Sequence, residues 1–455
     1  MLTNDYRSVA LEHCIFPIVD RDQILRDGPR LMTSGSGMTV FDQDGHPYLD
    51  MISGFTRANS LGYGNEEIAR AFYDQARMLH YAGTVDMITE PMARLAERIA
   101  ELTPAGLSRV FFSSGGSESV EAALKLATHY QHGSGRKPHA YKVIARWNAY
   151  HGATAGAMAL TNYLSVGASP DPRVPGVSHI PDPQCYRNAF GMDQSAYFSF
   201  CADYLEQQIL HEGPDLVAAF IGEPVMQANG AQVPPASYWH RVREICTRYG
   251  VLMIMDEVIC GYGRTGAWFA TEHFGVRPDI MTMAKALTAG YAPMGATATT
   301  PEIANAITHF RHVHTYSGHA ACAAAALATI GIVQRDGLVT AAADNGVYFQ
   351  AALQAALGDM PVVGDIRGIG HWHAVDFTAD RATKAPPPVG MSKAIIAAMY
   401  ERGVLAGAAG TAIEFAPALI ATRADFDRTV EVTAAAIAGV AASHGLAARP
   451  RRATG

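Results

Sequence analysis

A single charged side chain, Lys285, stands in the apolar and glycine-rich stretch IMTMAKALTAGYAPMGA, residues 280–296. An ammonium group held away from water must find a counter-charge or give up its proton. A lysine that gives up its proton becomes a nucleophile and a base. Asp256 raises a similar question, because it directly follows the five apolar residues VLMIM. A carboxylate there needs a cationic or protonated partner. A third feature is Gly115-Gly116-Ser117 in SSGGSESVEAALKLA, ahead of Val120, Leu124 and Ala127 at helical spacing. Small residues and free amide groups at a helix start suit an anion such as phosphate. The same residues also read as a plain serine cap with Glu121 supporting the first turn.

Lys285 and Asp256 could form a structural salt bridge. They could also grip a cofactor between them. An amine that attacks an aldehyde, an acid that keeps a pyridine nitrogen protonated, and a phosphate cradle together match pyridoxal 5′-phosphate. One rival must be weighed. Gly261-Tyr262-Gly263-Arg264-Thr265-Gly266 is a literal GxGxxG, which raises a nicotinamide-dependent dehydrogenase as a remote alternative. That fingerprint opens a long helix and has an acidic residue about 20 positions on. Here AWFATEHFGVRPD offers only a short helix, and Trp268 and Phe269 crowd the last glycine.

Positioning these residues is the task of the surrounding elements. From about residue 109, short apolar runs (RVFFS, YKVIA, LVAAFIGEP, VLMIMDEV, IMTMA) alternate with helical stretches such as 117–131 and 237–249. Apolar strands without polar alternation, separated by helices, predict a parallel sheet covered on both faces. In such sheets ligands sit at the carboxyl ends of the strands, where Gly115, Asp256 and Lys285 fall. GMTVFDQDGHPYLD alternates apolar and polar residues around Asp44-Gly45, a hairpin signal. After about residue 330 the order is helix, strand, strand, helix, with GDIRGIGHWHAVDF supplying strands and ATKAPPPVG a proline-rich loop. The expected fold is α/β, with a large domain built on a mainly parallel sheet and a smaller α+β domain. The expected divisions are 1–60, an N-terminal segment joining the small domain; 61–330, the large cofactor-binding domain; and 331–455, the C-terminal small domain. The arginines of the tail AARPRRATG read as solvated.

The totals narrow the function classes. The chain has 455 residues, 49% hydrophobic and 17% charged, with a net charge of −7. An acidic balance without clustered Lys and Arg argues against nucleic acid as a partner. No apolar run reaches membrane-spanning length, and MLTNDYRSVALEHC lacks the pattern of a secretory signal. Six scattered cysteines without a CxxC pair read as reduced thiols of a cytoplasmic protein, with neither a disulfide framework nor a metal site.

The chain also resembles the class III (ω-type) aminotransferases, pyridoxal-phosphate enzymes of fold type I. The resemblance runs from FDQDGHPYLD to FAPALIATRADFD and is densest in FFSSGGSESVEAALKLA, RWNAYHGAT, IGEPV, VLMIMDEVICGYGRTG, DIMTMAKALTAGYAPMGA and HTYSGHA. It implies that Lys285 carries the cofactor and shuttles the proton, and that Asp256 pairs with the pyridine nitrogen. Gly115, Gly116 and Ser117 would hold the phosphate. Tyr150 would lie on one face of the ring with His151 beside it, and Val258 on the other. Glu223 would help order the pocket. Thr315 would reach a phosphate across a dimer interface, so each site would need two subunits of a homodimer or tetramer. Read without the family, Tyr150 and Val258 are core residues and Thr315 a turn hydroxyl.

The sequence departs from the family where substrates are read. Many relatives have an arginine for an α-carboxylate where Gly407 stands, and some have a glutamate that masks it where Ala228 stands. Glycine and alanine cannot replace a bidentate clamp. Either the donor carries no carboxylate on its reacting carbon, or another cation takes over. Arg57 in SGFTRANSLGYG is the candidate, with Phe55 beside it, since that segment lines the pocket mouth in the family. A surface or interface salt bridge is the alternative for Arg57. His371 and His373 of GHWHAVDF read as structural. The expected activity is transfer of an amino group from an amine or ω-amino acid to a 2-oxo acid such as pyruvate. A racemase, decarboxylase or aminomutase of the same fold is the nearest alternative, and a catalytically silent binding dimer a more distant one.

Overall fold

The computed structural model describes residues 5–104, 106–163, 173–188 and 190–446. The tail AARPRRATG lies outside them. At the centre is a seven-stranded sheet whose order, from one edge, is Arg109–Ser113, Gly295–Thr299, Ile280–Met283, Leu252–Asp256, Val217–Gly222, Lys142–Arg146 and Val177–Ile180. Only Gly295–Thr299 runs against its neighbours.

The strands lack polar alternation because both of their faces are buried. Val143, Ala145, Ala219, Ile221, Leu252 and Ile254 pack with Val120, Leu126 and Ala127 of the helix Gly116–Gly133. The residues between them, Ile144, Phe220, Met253 and Met255, pack with Leu205 and Trp239 from the helices Gln194–Glu212 and Ala236–Tyr249. Successive side chains of a strand point to opposite faces, so an apolar residue is needed at every position.

Two four-stranded sheets lie outside this one. In the first, Met32–Ser36, Thr39–Asp42 and Pro47–Asp50 form a meander, which Val404–Leu405 joins in parallel. The hairpin turn forms where Asp44-Gly45 predicts it, with Gly45 at φ +81° and the Asp42 carboxylate accepting from the amides of Asp44 and His46. The second consists of Val363–Ile369, Trp372–Phe377, Ala412–Phe415 and Gly407–Ala409. The helices Leu338–Leu357, Met391–Tyr400 and Arg423–Ser443 cover it. Among the described residues no single helix is long and apolar enough to cross a membrane.

Candidate active site

Asp256 ends its strand opposite Thr282 of the neighbouring parallel strand. Its Oδ1 accepts hydrogen bonds from the Thr282 hydroxyl at 2.9 Å and the Val258 amide at 3.1 Å. Its Oδ2 accepts from His151 Nδ1 at 2.7 Å. A carboxylate offers about four acceptor directions, so one is left toward the site. The other nitrogen of His151, Nε2, is buried without a hydrogen-bond partner, 3.9 Å from Glu223 Oε2. Glu223 also orders its surroundings. Its Oε1 accepts from the Tyr150 amide at 3.3 Å, and its Oε2 from Arg146 Nη2 at 3.1 Å.

Lys285 begins a short turn, Lys285–Thr288, directly after the strand that carries Thr282, and takes a left-handed φ of +48°. The residue is half-buried, but its amine is desolvated. Burial first, and then the positive charge of Arg57, bring its pKa down from the ordinary lysine value to about 8, while the charge of Asp256 opposes the shift. Among the described residues the two do not form a salt bridge, which removes the structural alternative. Asp256 directs Oδ2 to His151 instead.

The helix Gly116–Gly133 starts at the end of the edge-side strand Arg109–Ser113 with Gly115 as its cap and no side-chain cap hydrogen bond. The serine-cap reading therefore fails, and Glu121 serves another element. It accepts from the Thr154 hydroxyl and from the amides of Gly156 and Ala157, at the start of the helix Ala155–Leu160. The first turn at Gly115, Gly116 and Ser117 keeps amides free for an anion. A Cβ at Gly116 would meet Val258 Cγ1 at 2.8 Å, and one at Gly152 would meet Ser117 Oγ at 2.5 Å. Val258 therefore lies against the cradle, and Tyr150 lies near Asp256: burial first, and then that charge, raise the phenol pKa.

These residues fit pyridoxal phosphate. A glycine cradle with free amides would take the phosphate, the remaining direction of Asp256 the pyridine nitrogen, and the desolvated Lys285 amine the aldehyde. Tyr150 and Val258 would flank the ring. Thr315 is not part of this assembly in the single chain, because it lies exposed on the turn after His314.

Toward the small sheet, Ser53, Gly54, Phe55 and Arg57 all have left-handed φ, between +52° and +68°. Asp50 holds this strained turn, accepting from the amides of Ile52 and Gly54 and from the Tyr63 hydroxyl. Phe55 is exposed on it, whereas Arg57 is buried and paired with Glu414. The surface-bridge reading of Arg57 is thereby excluded. Gly407 has no space for a side chain: a Cβ there would meet Ile52 Cδ1 at 2.9 Å and Glu414 Cγ at 3.1 Å.

Glu414, Thr282 and Arg146 escaped sequence reasoning. Glu414 and Thr282 have a signal similar to that of Asp256, a lone polar residue in an apolar strand, whereas Arg146 shares its strand with Lys142. His371 and His373 are buried, and burial takes both to about 3, so they are neutral. Gly261–Gly266 opens no long helix. Arg264 within it is buried, with Nη1 donating to the carbonyls of Pro417 and His371 and Nη2 to Ser53 Oγ.

The aminotransferase class-III family matches residues 25–437. The chain is 37% identical over 433 residues to the diaminobutyrate–2-oxoglutarate transaminase of Halomonas elongata, covering 92% of each. It is 34% identical over 434 residues to the putrescine–pyruvate aminotransferase of Pseudomonas aeruginosa, covering 94% of each. The crystal structure of the ω-transaminase from Pseudomonas jessenii in complex with PMP superposes with a TM-score of 0.93 at 33% identity, over 96% of this chain and 99% of that one. The site geometry and this match over nearly the whole chain agree, and the chain belongs to the class-III aminotransferases, which work with pyridoxal phosphate.

Proposed function

We propose that this enzyme moves an amino group from an amine or ω-amino acid, one without a carboxylate on its reacting carbon, to a 2-oxo acid such as pyruvate. The observation that carries the reading is the desolvated Lys285 amine close to the hydrogen-bonded Asp256 carboxylate, beside an uncapped glycine-rich helix start. Gly407 and Ala228 support the choice of donor, since neither offers a cation or a mask for an α-carboxylate. The putrescine–pyruvate relative acts on an amine that carries no carboxylate and passes its amino group to pyruvate.

Bound pyridoxal phosphate supplies an aldehyde that takes up the amino group and a ring that withdraws electrons from the reacting carbon. The protein does the rest. Lys285 Nζ, with a pKa of about 8, is a base near neutrality that removes a proton from the donor carbon and returns it one position away. Asp256 keeps negative charge at the pyridine nitrogen, and His151, Thr282 and the Val258 amide hold it in place. Gly115, Gly116 and Ser117 bind the phosphate, Tyr150 and Val258 confine the ring, and Glu223 fixes Tyr150 through its amide.

Thr315 is proposed to act across a homodimer interface on the phosphate of the partner's site. The small domain is proposed to include residues 1–60 and 331–455. Its core supports this, joining Leu49 and Met51 to Phe349, Phe415 and Ile437. The six free cysteines suit the cytoplasm.

Lys285→Ala tests the reading. Its turnover with pyruvate as acceptor is expected to fall at least about 10²–10⁴-fold while the protein still binds the cofactor. Borohydride should fix cofactor to the wild-type chain at Lys285 and leave the variant unlabelled. A variant with unchanged turnover would refute the assignment.

A further inference from the structure

The segment Gly261–Gly266 takes no part in the base, the ring clamp or the phosphate cradle, and its last glycine has another use. Gly266, at φ +82°, lies against the helix Leu338–Leu357, where a Cβ would meet Ala343 Cα at 2.8 Å. Gly370, between the strands Val363–Ile369 and Trp372–Phe377, has no room for a Cβ against the Thr265 backbone, and Gly346 of the helix has none against the Gly370 carbonyl. Three segments therefore meet with no side chain between them. Glycine inside a helix is destabilising, and this contact accounts for Gly346.

Beside this joint is a cavity of about 570 Å³, walled by Thr265 and His273 on one side and by Ala343, Val347, Gln350 and His373 on the other. It opens to solvent at Val347, which is 75% exposed. Its size is that of a small-molecule site. A larger apolar side chain at Ala351, which also lines it, would fill it and add stability, so stability does not account for the space. Two polar atoms in it lack partners. Gln350 Nε2 donates to the Ile366 carbonyl at 2.9 Å, and its Oε1 is buried with nothing to accept from. His373 is 1% exposed and neutral, since burial takes its pKa to about 3. Its one N–H is held by the Gly346 backbone, so Nδ1, buried without a partner, presents a lone pair. Among the described residues no Asp, Glu, Lys or Arg lines the cavity. Water alone would satisfy the two acceptors and leave the apolar walls hydrated.

We propose that this cavity is an effector site, separate from the active site, for a small uncharged molecule with an apolar body and two hydrogen-bond donors. The donors go to Gln350 Oε1 and His373 Nδ1, and the body lies against Thr265, Ala343 and Val347. Thr265 follows Arg264, whose Nη2 donates to Ser53 Oγ at 3.2 Å in the turn that carries Arg57. Arg57 in turn helps lower the pKa of Lys285. A molecule seated against Thr265 therefore acts on the active site without entering it. Binding is independent of the transamination reading, and the effect on turnover rests on it.

The test titrates resorcinol, an aromatic ring with two hydroxyl donors, calorimetrically into holoenzyme. The control is 1,3-dimethoxybenzene, the same ring without donors. Resorcinol is expected to bind once per chain, and the control at least about tenfold more weakly, the worth of two hydrogen bonds. Gln350→Leu removes one acceptor and should weaken resorcinol about threefold to tenfold. Val347→Trp, at the exposed mouth, should block binding and leave the basal turnover of benzylamine with pyruvate unchanged. In the wild type, saturating resorcinol should change kcat for that pair by about fivefold or more, the lower end of common allosteric couplings, without competing against either substrate. No binding of resorcinol, equal binding of the control, or binding that survives Val347→Trp would overturn the site. Competition with benzylamine or pyruvate would place resorcinol in the active site and overturn it as well. An unchanged kcat at full occupancy would overturn the effector role. If Gln350→Leu does not fold, Val347→Trp decides alone. A protein that binds resorcinol but moves no amino group would sink the transamination reading and leave the cavity site standing.

Discussion

At Lys285 the chain keeps an amine whose proton is easy to lose, and that has a measurable consequence before any substrate is present. The unprotonated amine is the form that captures the cofactor aldehyde, and its folded pKa is lowered, so this form dominates above about 8. Capture of pyridoxal phosphate by the cofactor-free protein should therefore accelerate as pH rises through that value and then level off. An ordinary lysine would inflect near about 10.4. Arg57 contributes to the lowering as a like charge, so Arg57→Ala should move the inflection to higher pH. Stopped-flow absorbance measures both. An inflection at the ordinary lysine value, or none of the expected shift in the variant, would contradict the electrostatic account. Lys285 and Asp256 are legible in the sequence because an isolated charge in an apolar run has few structural uses. Glu414 has the same signature in AIEF, but its partner Arg57 lies far away in sequence. Nothing in either segment announces the contact.

The elements that position these groups were readable in proportion to how completely they are buried. The strands in LVAAFIG, VLMIMD and IMTM announce themselves because neither face meets water, and YKVIA and the edge strand RVFFS, which are covered less completely, still do so by their apolar runs. The antiparallel Gly295–Thr299 and the edge Val177–Ile180 do not. GATAT is too small to form an apolar run, and VSHI too short and polar. The turn Ser53–Arg57, with four left-handed φ angles, was also illegible, since part of what holds it is distant in sequence: the Ser53 hydroxyl donates to the Ala416 carbonyl and accepts from Arg264 Nη2. Close packing between elements yields a prediction at the glycine cradle. A methyl group at Gly116 would collide with Val258, so Gly116→Ala should push Val258 into the ring's space. Cofactor affinity should fall by about 10–100-fold, the scale of overpacking a dense contact. Gly116→Ala combined with Val258→Ala removes the collision and should recover much of the loss. Fluorescence titration with pyridoxal phosphate decides. A double variant that is as weak as the single one would place the role of Gly116 in backbone conformation instead.

For the whole molecule, the question is whether one chain holds a complete site. Thr315 is exposed, flanked by Val313 and Tyr316, which are 64% and 63% exposed. Tyr316 lies edge-on to Tyr81 with ring centroids 6.3 Å apart. The segment that carries Tyr81 also exposes Met78, Val85 and Ile88. These exposed apolar residues lie on two segments that touch through Tyr81 and Tyr316, and an isologous interface would cover them. If Thr315 completes the partner's phosphate site, two damaged chains should repair each other. Lys285→Ala supplies an intact Thr315, and Thr315→Ala supplies an intact Lys285. After the subunits are dissociated and reassociated together, a mixed dimer contains one site with both residues. Random assortment in equal amounts should then recover about a quarter of wild-type activity above what the two variants show apart. Chains that act alone, or a threonine that serves its own subunit, would show only the mean of the separate activities. That result would remove Thr315 from the site while leaving Lys285, Asp256 and the glycine cradle in place.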